Sequence, residues 1–190
     1  NGTMLDEEKV KYLNDNHISL ILSLDGRKEM HDRMRPGIHG EGTYDVVYKN
    51  LKYCVSHRNG EEYYVRGTYT KYNLDFTKDV LDMVDAGFPE LSMEPVIGDD
   101  EAYAIKETDL PAVKREYEKL AEAFLQREKE GRPFFFFHFN MNLWKGPCLP
   151  KRLRGCGAGH EYVAVVPNGD IYPCHQFVGR DGYVIGNVFE

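Results

Sequence analysis

Two cysteines and a glycine carry the strongest chemical signal in this sequence. Cys156 is followed by twelve residues, Gly169, four residues and Cys174. Between them, residues 162–166 (YVAVV) are rich in β-branched side chains. Pro167-Asn168-Gly169-Asp170 is turn chemistry, because Asn-Gly readily takes the positive φ of a tight hairpin. Ile171 and Tyr172 then resume a strand. A hairpin folded at Asn168-Gly169 therefore returns Cys174 toward Cys156. Two soft thiolates brought together suit zinc, copper(I) or an iron–sulfur cluster. Cys148, eight residues before Cys156, offers a third. The same spacing also admits a hairpin with incidental buried cysteines, a zinc hairpin or a single disulfide.

A second group of polar residues lies near the start of the chain. Ser23-Leu24-Asp25-Gly26 ends the apolar run Ile18 to Leu24, and His31-Asp32 and Arg35 follow in what reads as a loop. In parallel α/β folds, polar residues at the C-terminal ends of strands line the ligand site. Asp-Gly by itself is equally an ordinary turn.

The elements that must hold these groups are readable from periodicity. Residues 4–16 read as a helix with Leu5, Val10 and Leu13 on one face, and 18–24 as a buried parallel strand. In 43–56, Tyr44, Val47, Leu51 and Cys54 form one helical stripe, which makes Cys54 a core residue rather than a ligand. Residues 62–71 read as a strand, 76–86 as a helix ended by Gly87, and 90–96 as another strand. Strand and helix alternate here as in parallel α/β units, and right-handed crossovers lay the strands side by side in order. Residues 97–108 read as an acidic loop. Asp109 is placed to cap a helix running to Glu130, with Pro111 in its first turn and Val113, Tyr117, Leu120 and Phe124 as its stripe. The aromatic run 133–144 reads as a buried strand or packing segment, with the wall of a substrate cavity as the other use.

Composition narrows the class. The 190 residues are 42% hydrophobic and 13% aromatic, enough for a real core. The net charge of −7, from 24 basic and 31 acidic residues, argues against nucleic acid as the main partner. No eighteen-residue apolar run exists, so a membrane span is not expected. Four cysteines in an acidic chain, three of them between 148 and 174, favour a metal site in a reducing, cytoplasmic setting. The first residues show no basic region followed by an apolar one, and the chain reads as cut at both ends.

The cysteine pattern resembles the opening of the SPASM domain, the C-terminal extension of radical S-adenosylmethionine (SAM) peptide maturases. The wording VVPNGDIYPCHQFVG followed by GNV is similar to the subgroup that matures SCIFF peptides, the six-cysteine ribosomal precursors. Ser-Leu-Asp-Gly with His31, Asp32 and Arg35, and the 40–44 segment, resembles the fourth strand region of the radical SAM barrel. Asn1-Gly2-Thr3 resembles the end of the third strand, Arg66-Gly67-Thr68 falls on the fifth and Glu94-Pro95 on the sixth.

The resemblance implies an α/β fold. It would be the second half of a radical SAM partial (β/α)6 barrel over 1–97, a connecting region with a long helix over 98–145, and the β-hairpin start of a SPASM/twitch domain over 146–190. It implies SAM and [4Fe-4S] clusters as cofactors. Ser23 would help hold the methionine moiety of SAM, with Arg66, or less directly Arg35, as the basic partner. An ion pair with Glu94 is the other use of the Arg66 guanidinium. Cys156 and Cys174, with Cys148, would ligate an auxiliary cluster. The residue after the second SPASM cysteine is acidic in relatives that oxidise a side chain, and here it is His175, a base or a surface residue. The implied activity is thioether formation, from a cysteine sulfur to a residue carbon, in a cysteine-rich precursor peptide, with an electron donor as further partner. Sulfatase-maturase-like oxidation and a non-catalytic zinc module are the alternatives. The family's Cys-x-x-x-Cys-x-x-Cys is absent, as are the later SPASM cysteines, so this stretch alone is expected to be inactive.

Overall fold

A computed structural model describes residues 1–98, 100–140 and 155–190. The chain forms two compact units, residues 1–140 and a C-terminal unit of which 155–190 are described.

The first unit is built on a four-stranded parallel sheet in sequential order. Its strands are β1 (Leu20–Ser23), β2 (Tyr63–Tyr69), β3 (Glu90–Pro95) and the short β4 (Phe135–Phe136). The helices are α1 (Glu7–Asp15), α2 (Lys28–Met34), α3 (Tyr44–Ser56), α4 (Thr77–Asp85) and α5 (Leu110–Lys129). Asn1-Gly2-Thr3 adds no strand to this sheet.

Period-two alternation sets the core. Leu22, Leu24, Val65, Tyr69, Leu91 and Met93 are buried on one face of the sheet. The expected stripe of α3 packs there through Val47, Leu51 and Cys54, and Phe76, Val80, Met83, Val113 and Leu120 complete the core. Cys54 is fully buried, and burial pushes its thiol up from the ordinary value. Gly87 closes α4 with φ +87°, and Phe88 N–H returns to the Met83 carbonyl at 3.0 Å, so the helix ends as its glycine requires. The strand expected over 18–24 is half-covered rather than buried on both faces: Ile21 is 56% exposed on the side away from the helices.

Three local expectations are corrected. The stretch holding His31 and Asp32 is not a loop but the helix α2, and Arg35 is its C-cap. Asp109 does not cap α5 with its side chain. A 3-10 turn over Glu107–Asp109 precedes the helix, and the Asp109 carboxylate accepts from Lys106 N–H at 2.9 Å. The aromatic run makes only a two-residue strand and then a 3-10 turn over Phe137–Phe139. Phe134 and Phe136 are buried, whereas Phe135 and Phe137 stay exposed.

Buried charges tie the layers together. Arg58 donates to Asn14 on α1 and, at 2.8 and 2.9 Å, to the carbonyls of Ile18 and Glu62, fixing the entries to β1 and β2. Glu116 on α5 accepts from Thr77 N–H at 3.2 Å at the start of α4, while Thr77 Oγ1 donates to the Glu116 carbonyl.

In the C-terminal unit, β5 (Ala164–Val165), β6 (Asp170–Tyr172) and β7 (Gly186–Asn187) form an antiparallel sheet in that order. The expected hairpin pairs Ala164 with Tyr172 and Val165 with Ile171. Gly169 sits at φ +90°, with its N–H on the Val166 carbonyl at 2.8 Å. No helix among the described residues is long and apolar enough to cross a membrane.

Candidate functional site

The polar face of the sheet is organised in rows by its register. Ser23 on β1 pairs with Arg66 on β2, and Arg66 pairs with Ser92 on β3. Because Leu22, Val65, Leu91 and Met93 point to the helices, these three polar residues share the opposite face. Among the described residues, neither the Ser23 hydroxyl nor the Arg66 guanidinium has a hydrogen-bond or ion-pair partner. Ser92 is 1% exposed, and its Oγ is buried without a partner. An orphaned buried hydroxyl carries a desolvation cost of about 1–3 kcal/mol. A carboxylate laid beside Ser23 and Arg66 would accept from the hydroxyl and from the guanidinium, the latter as a charge-assisted bond.

The next row toward the C-terminal strand ends is already engaged at its β1 side. Asp25, 1% exposed, accepts from Arg35 Nε at 2.6 Å and Nη2 at 3.0 Å, and from Thr68 N–H at 2.9 Å. This bidentate pair commits Arg35 to holding the loop after β1, so Arg66 is the unpaired cation of the two candidates. His31 supports the same loop. Its Nδ1 accepts from Asp25 N–H at 3.3 Å, and its Nε2 lies 3.2 Å from Thr43 Oγ1. Burial pushes the His31 pKa down, in keeping with a neutral ring whose Nδ1 is an acceptor. A shallow cleft lined by Asp25, Met34, Arg35, Thr68 and Thr70 opens at this end of the sheet.

Glu94 does not pair with Arg66. Register puts it beside Thr68, and its Oε1 lies 3.2 Å from His138 Nε2. Tyr64 and Phe137 stack with ring centroids 6.2 Å apart, although β3 lies between their strands, so they bridge over it. Reading the sequence for site residues passed over Ser92, although strand alternation between Leu91 and Met93 signals its face. His138 was hidden inside an aromatic run whose short strand could not be bounded from composition.

In the C-terminal unit, the turn after Cys156 is tied to the residue before Cys174. Gly159 N–H is 2.9 Å from both the Tyr162 and the Pro173 carbonyl. Cys156 is exposed, Cys174 is 7% exposed, and both are free thiols. The Cys156 thiol is lowered from its ordinary value, first by the Ala158 N–H and then by the Tyr162 hydroxyl. Tyr162 is raised by that same hydrogen bond, by desolvation and by the nearby charge of both cysteines. The backbone bonds of Gly159 thus tie the turn after Cys156 to the strand that leads into Cys174.

Among the described residues, no three His, Cys, Asp or Glu side chains gather to hold a metal. The pair fits a thiolate-bound metal in donor type but supplies only part of its coordination. Cys148 lies outside the described residues. His175 opens an exposed 3-10 turn over His175–Phe177, and its ring has no partner among the described residues.

No family model matches the chain. Two curated relatives match it along its whole length. The cysteine-type anaerobic sulfatase-maturating enzyme of Clostridium novyi (strain NT) is 25% identical, the match covering 100% of this chain and 51% of the relative. The serine-type anaerobic sulfatase-maturating enzyme of Bacteroides thetaiotaomicron is 24% identical, with 100% and 49% covered. The chain thus spans about half the length of the curated relatives it matches. Among solved structures, anSMEcpe with bound AdoMet and Cp18Cys peptide superposes with a TM-score of 0.69 at 21% identity, over 98% of this chain and 52% of that one. SuiB of Streptococcus suis superposes with a TM-score of 0.62 at 19% identity, over 100% and 45%. The mixed α/β architecture, with its parallel four-stranded sheet, is the fold of about half of these radical SAM maturase structures. The comparisons thus lead to radical SAM maturases, the broader class that the sequence motifs resemble.

Proposed function

We propose that this chain is the second half of a radical SAM barrel and the opening of a SPASM unit within a longer peptide maturase. In this reading the enzyme joins a cysteine sulfur to a residue carbon in a cysteine-rich ribosomal precursor. The observation that carries the reading is the order of two independent motifs along one chain. Ser-Leu-Asp-Gly ends β1, and Cys-x12-Gly-x4-Cys frames the β5–β6 hairpin, in a chain similar over its full length to curated maturases. A solved neighbour with AdoMet and a peptide bound supports both ligand classes for the present chain.

SAM, when bound and reductively cleaved, would supply the hydrogen-abstracting radical, and the cofactors carry that chemistry. The work of this chain is to bind and orient. Arg66 would hold the SAM carboxylate through its unpaired guanidinium, with the Ser23 hydroxyl beside it. Cys156 and Cys174, with Cys148, would hold an auxiliary iron–sulfur cluster. An external electron donor and a cytoplasmic setting belong to the same reading.

Arg66→Ala in the full-length enzyme is expected to weaken SAM binding by about 10- to 100-fold, the loss of one charge-assisted contact of about 1.5–3 kcal/mol. Equilibrium dialysis against SAM measures this. Undiminished affinity would remove Arg66 from the site.

The names of the curated relatives favour a second reading, oxidation of a seryl or cysteinyl side chain in a sulfatase. The residue after the second SPASM cysteine, acidic in relatives that oxidise a side chain, is His175 here, a base or a surface residue. Product mass separates the two. A thioether formed by oxidation loses two hydrogens and consumes a free thiol. Oxidation of a side chain to an aldehyde consumes no neighbouring thiol, and that product would decide for the second reading.

A further inference from the structure

Four side chains from four elements meet around the C-terminal end of the sheet. Glu94 stands on the polar face of β3, in the row of Thr68. His138, from the turn after β4, places Nε2 3.2 Å from Glu94 Oε1 and Nδ1 3.4 Å from the Tyr117 hydroxyl of α5. Tyr117 in turn packs edge-on against Tyr69 of β2, with ring centroids 6.4 Å apart. Tyr69 is 3% exposed, while Glu94 and His138 are just over a quarter exposed, so the chain of contacts runs from the core to an accessible carboxylate.

The donors and acceptors of this chain are constrained. A carboxylate only accepts, so His138 donates Nε2–H to Glu94. A neutral ring then accepts at Nδ1 from the Tyr117 hydroxyl. A protonated ring donates from Nδ1 to the Tyr117 oxygen, whose hydrogen turns away from the ring. Both charge states are therefore satisfied without moving a heavy atom. Burial raises Tyr117, which keeps it a neutral partner in either state. A partly exposed pair of this kind adds little to stability. Among the described residues nothing donates to Glu94 Oε2, and the only other charge one row away is the unpaired Arg66.

We infer that Glu94 is a proton acceptor for the substrate, aimed by His138 and with Oε2 left for an acidic group such as a cysteine thiol. The inference rests on the maturase reading above and adds a residue to it. In the step, the S–H bond breaks, its proton passes to Glu94 Oε2, and the electron pair stays on sulfur. No electron is transferred, and the thiolate so formed is the species that a sulfur–carbon bond requires. Glu94 is the catalytic residue in this scheme, and His138 positions it.

The test uses the full-length enzyme with SAM, dithionite as reductant and a six-cysteine precursor peptide. It reads cross-linked product and 5′-deoxyadenosine in the same reaction. Glu94→Gln keeps the shape but cannot take the proton, and the ratio of product to 5′-deoxyadenosine should fall by about 100-fold or more. His138→Gln, which keeps an N–H donor in reach of Glu94, should retain more of that ratio than His138→Phe. An unchanged ratio in Glu94→Gln overturns the assignment. So does a loss confined to the KM for SAM, which would make Glu94 a cofactor contact. Equal ratios in the two His138 variants would overturn the positioning role. A wild-type enzyme that forms no 5′-deoxyadenosine overturns the maturase reading itself, and this step with it.

Discussion

Replacing Asp79 with alanine should lower the stability of the chain by about 3 kcal/mol, the low end of what removing one partner from a buried ion pair costs. Asp79 is 0% exposed and accepts four hydrogen bonds. Three come from Arg27, through its backbone N–H at 3.1 Å, Nε at 2.7 Å and Nη2 at 3.2 Å, and one from Asn73 Nδ2 at 3.0 Å. Asn73 in turn accepts from Thr70 N–H at 2.8 Å, so the network links the loop after β1 to the end of β2 and the start of α4. The Arg27 guanidinium is held above its ordinary range, first by the bond to Asp79 and further by Asp75. Asp75 is what keeps the loss near the low end, because it still faces Arg27 Nη2 at 2.7 Å after Asp79 is gone. With a urea slope of about 2 kcal/mol per molar, the unfolding midpoint should fall by about 1.5 M. Far-UV circular dichroism of the chain measures this. A midpoint within about 0.2 M of the parent would mean that Asp75 alone satisfies Arg27.

The same site explains a glycine. Gly26 has φ +89°, and a Cβ there would lie 2.2 Å from the Cβ of Asp79. The Asp-Gly pair that reads as a common turn in the sequence is thus also the only fit for a loop laid on a buried carboxylate. That second meaning is invisible in the sequence, because Asp79 is more than fifty residues away from the turn.

What periodicity and turn chemistry encode was legible. The alternation of strands and helices gave the parallel sheet, the stripe of Val47, Leu51 and Cys54 gave α3, and Asn168-Gly169 gave the hairpin. Each depends on neighbours in sequence or on one apolar face. Helix α2 was not legible, because KEMHDRM has no apolar stripe. Its one buried residue is His31, and what holds it is contact with Asp25 and Thr43. The candidate site divided in the same way. Ser23 was read from the end of the first strand and Arg66 from the resemblance to the barrel's fifth strand, whereas Ser92 and the Glu94–His138 contact depend on a register that only the folded sheet defines. The commitment of Arg35 to Asp25 likewise needed geometry, since a guanidinium twelve residues from Ser23 looks equally free in the sequence.

Replacing Cys156 or Cys174 with serine in the full-length enzyme should remove one iron–sulfur cluster from the purified protein and abolish cross-linking, a loss of at least about 100-fold. Even outer-shell partners of a metal typically cost 10- to 100-fold when removed, and these two thiols would be ligands. The paired thiols are held by backbone rather than by each other, since Gly159 N–H binds the Pro173 carbonyl at 2.9 Å. Serine therefore alters the donor while leaving the β5–β6 hairpin in place, and the fold should persist. Cys54 supplies the contrast. It is a buried core thiol of the first unit, and Cys54→Ala should lower stability while leaving iron and sulfide content unchanged. Anaerobic purification followed by iron, sulfide and zinc analysis reads all three variants. Normal cross-linking by both serine variants would sink the auxiliary-cluster assignment. Stoichiometric zinc without sulfide in the wild type would replace it with a zinc-binding hairpin, for which two thiolates are equally suited donors.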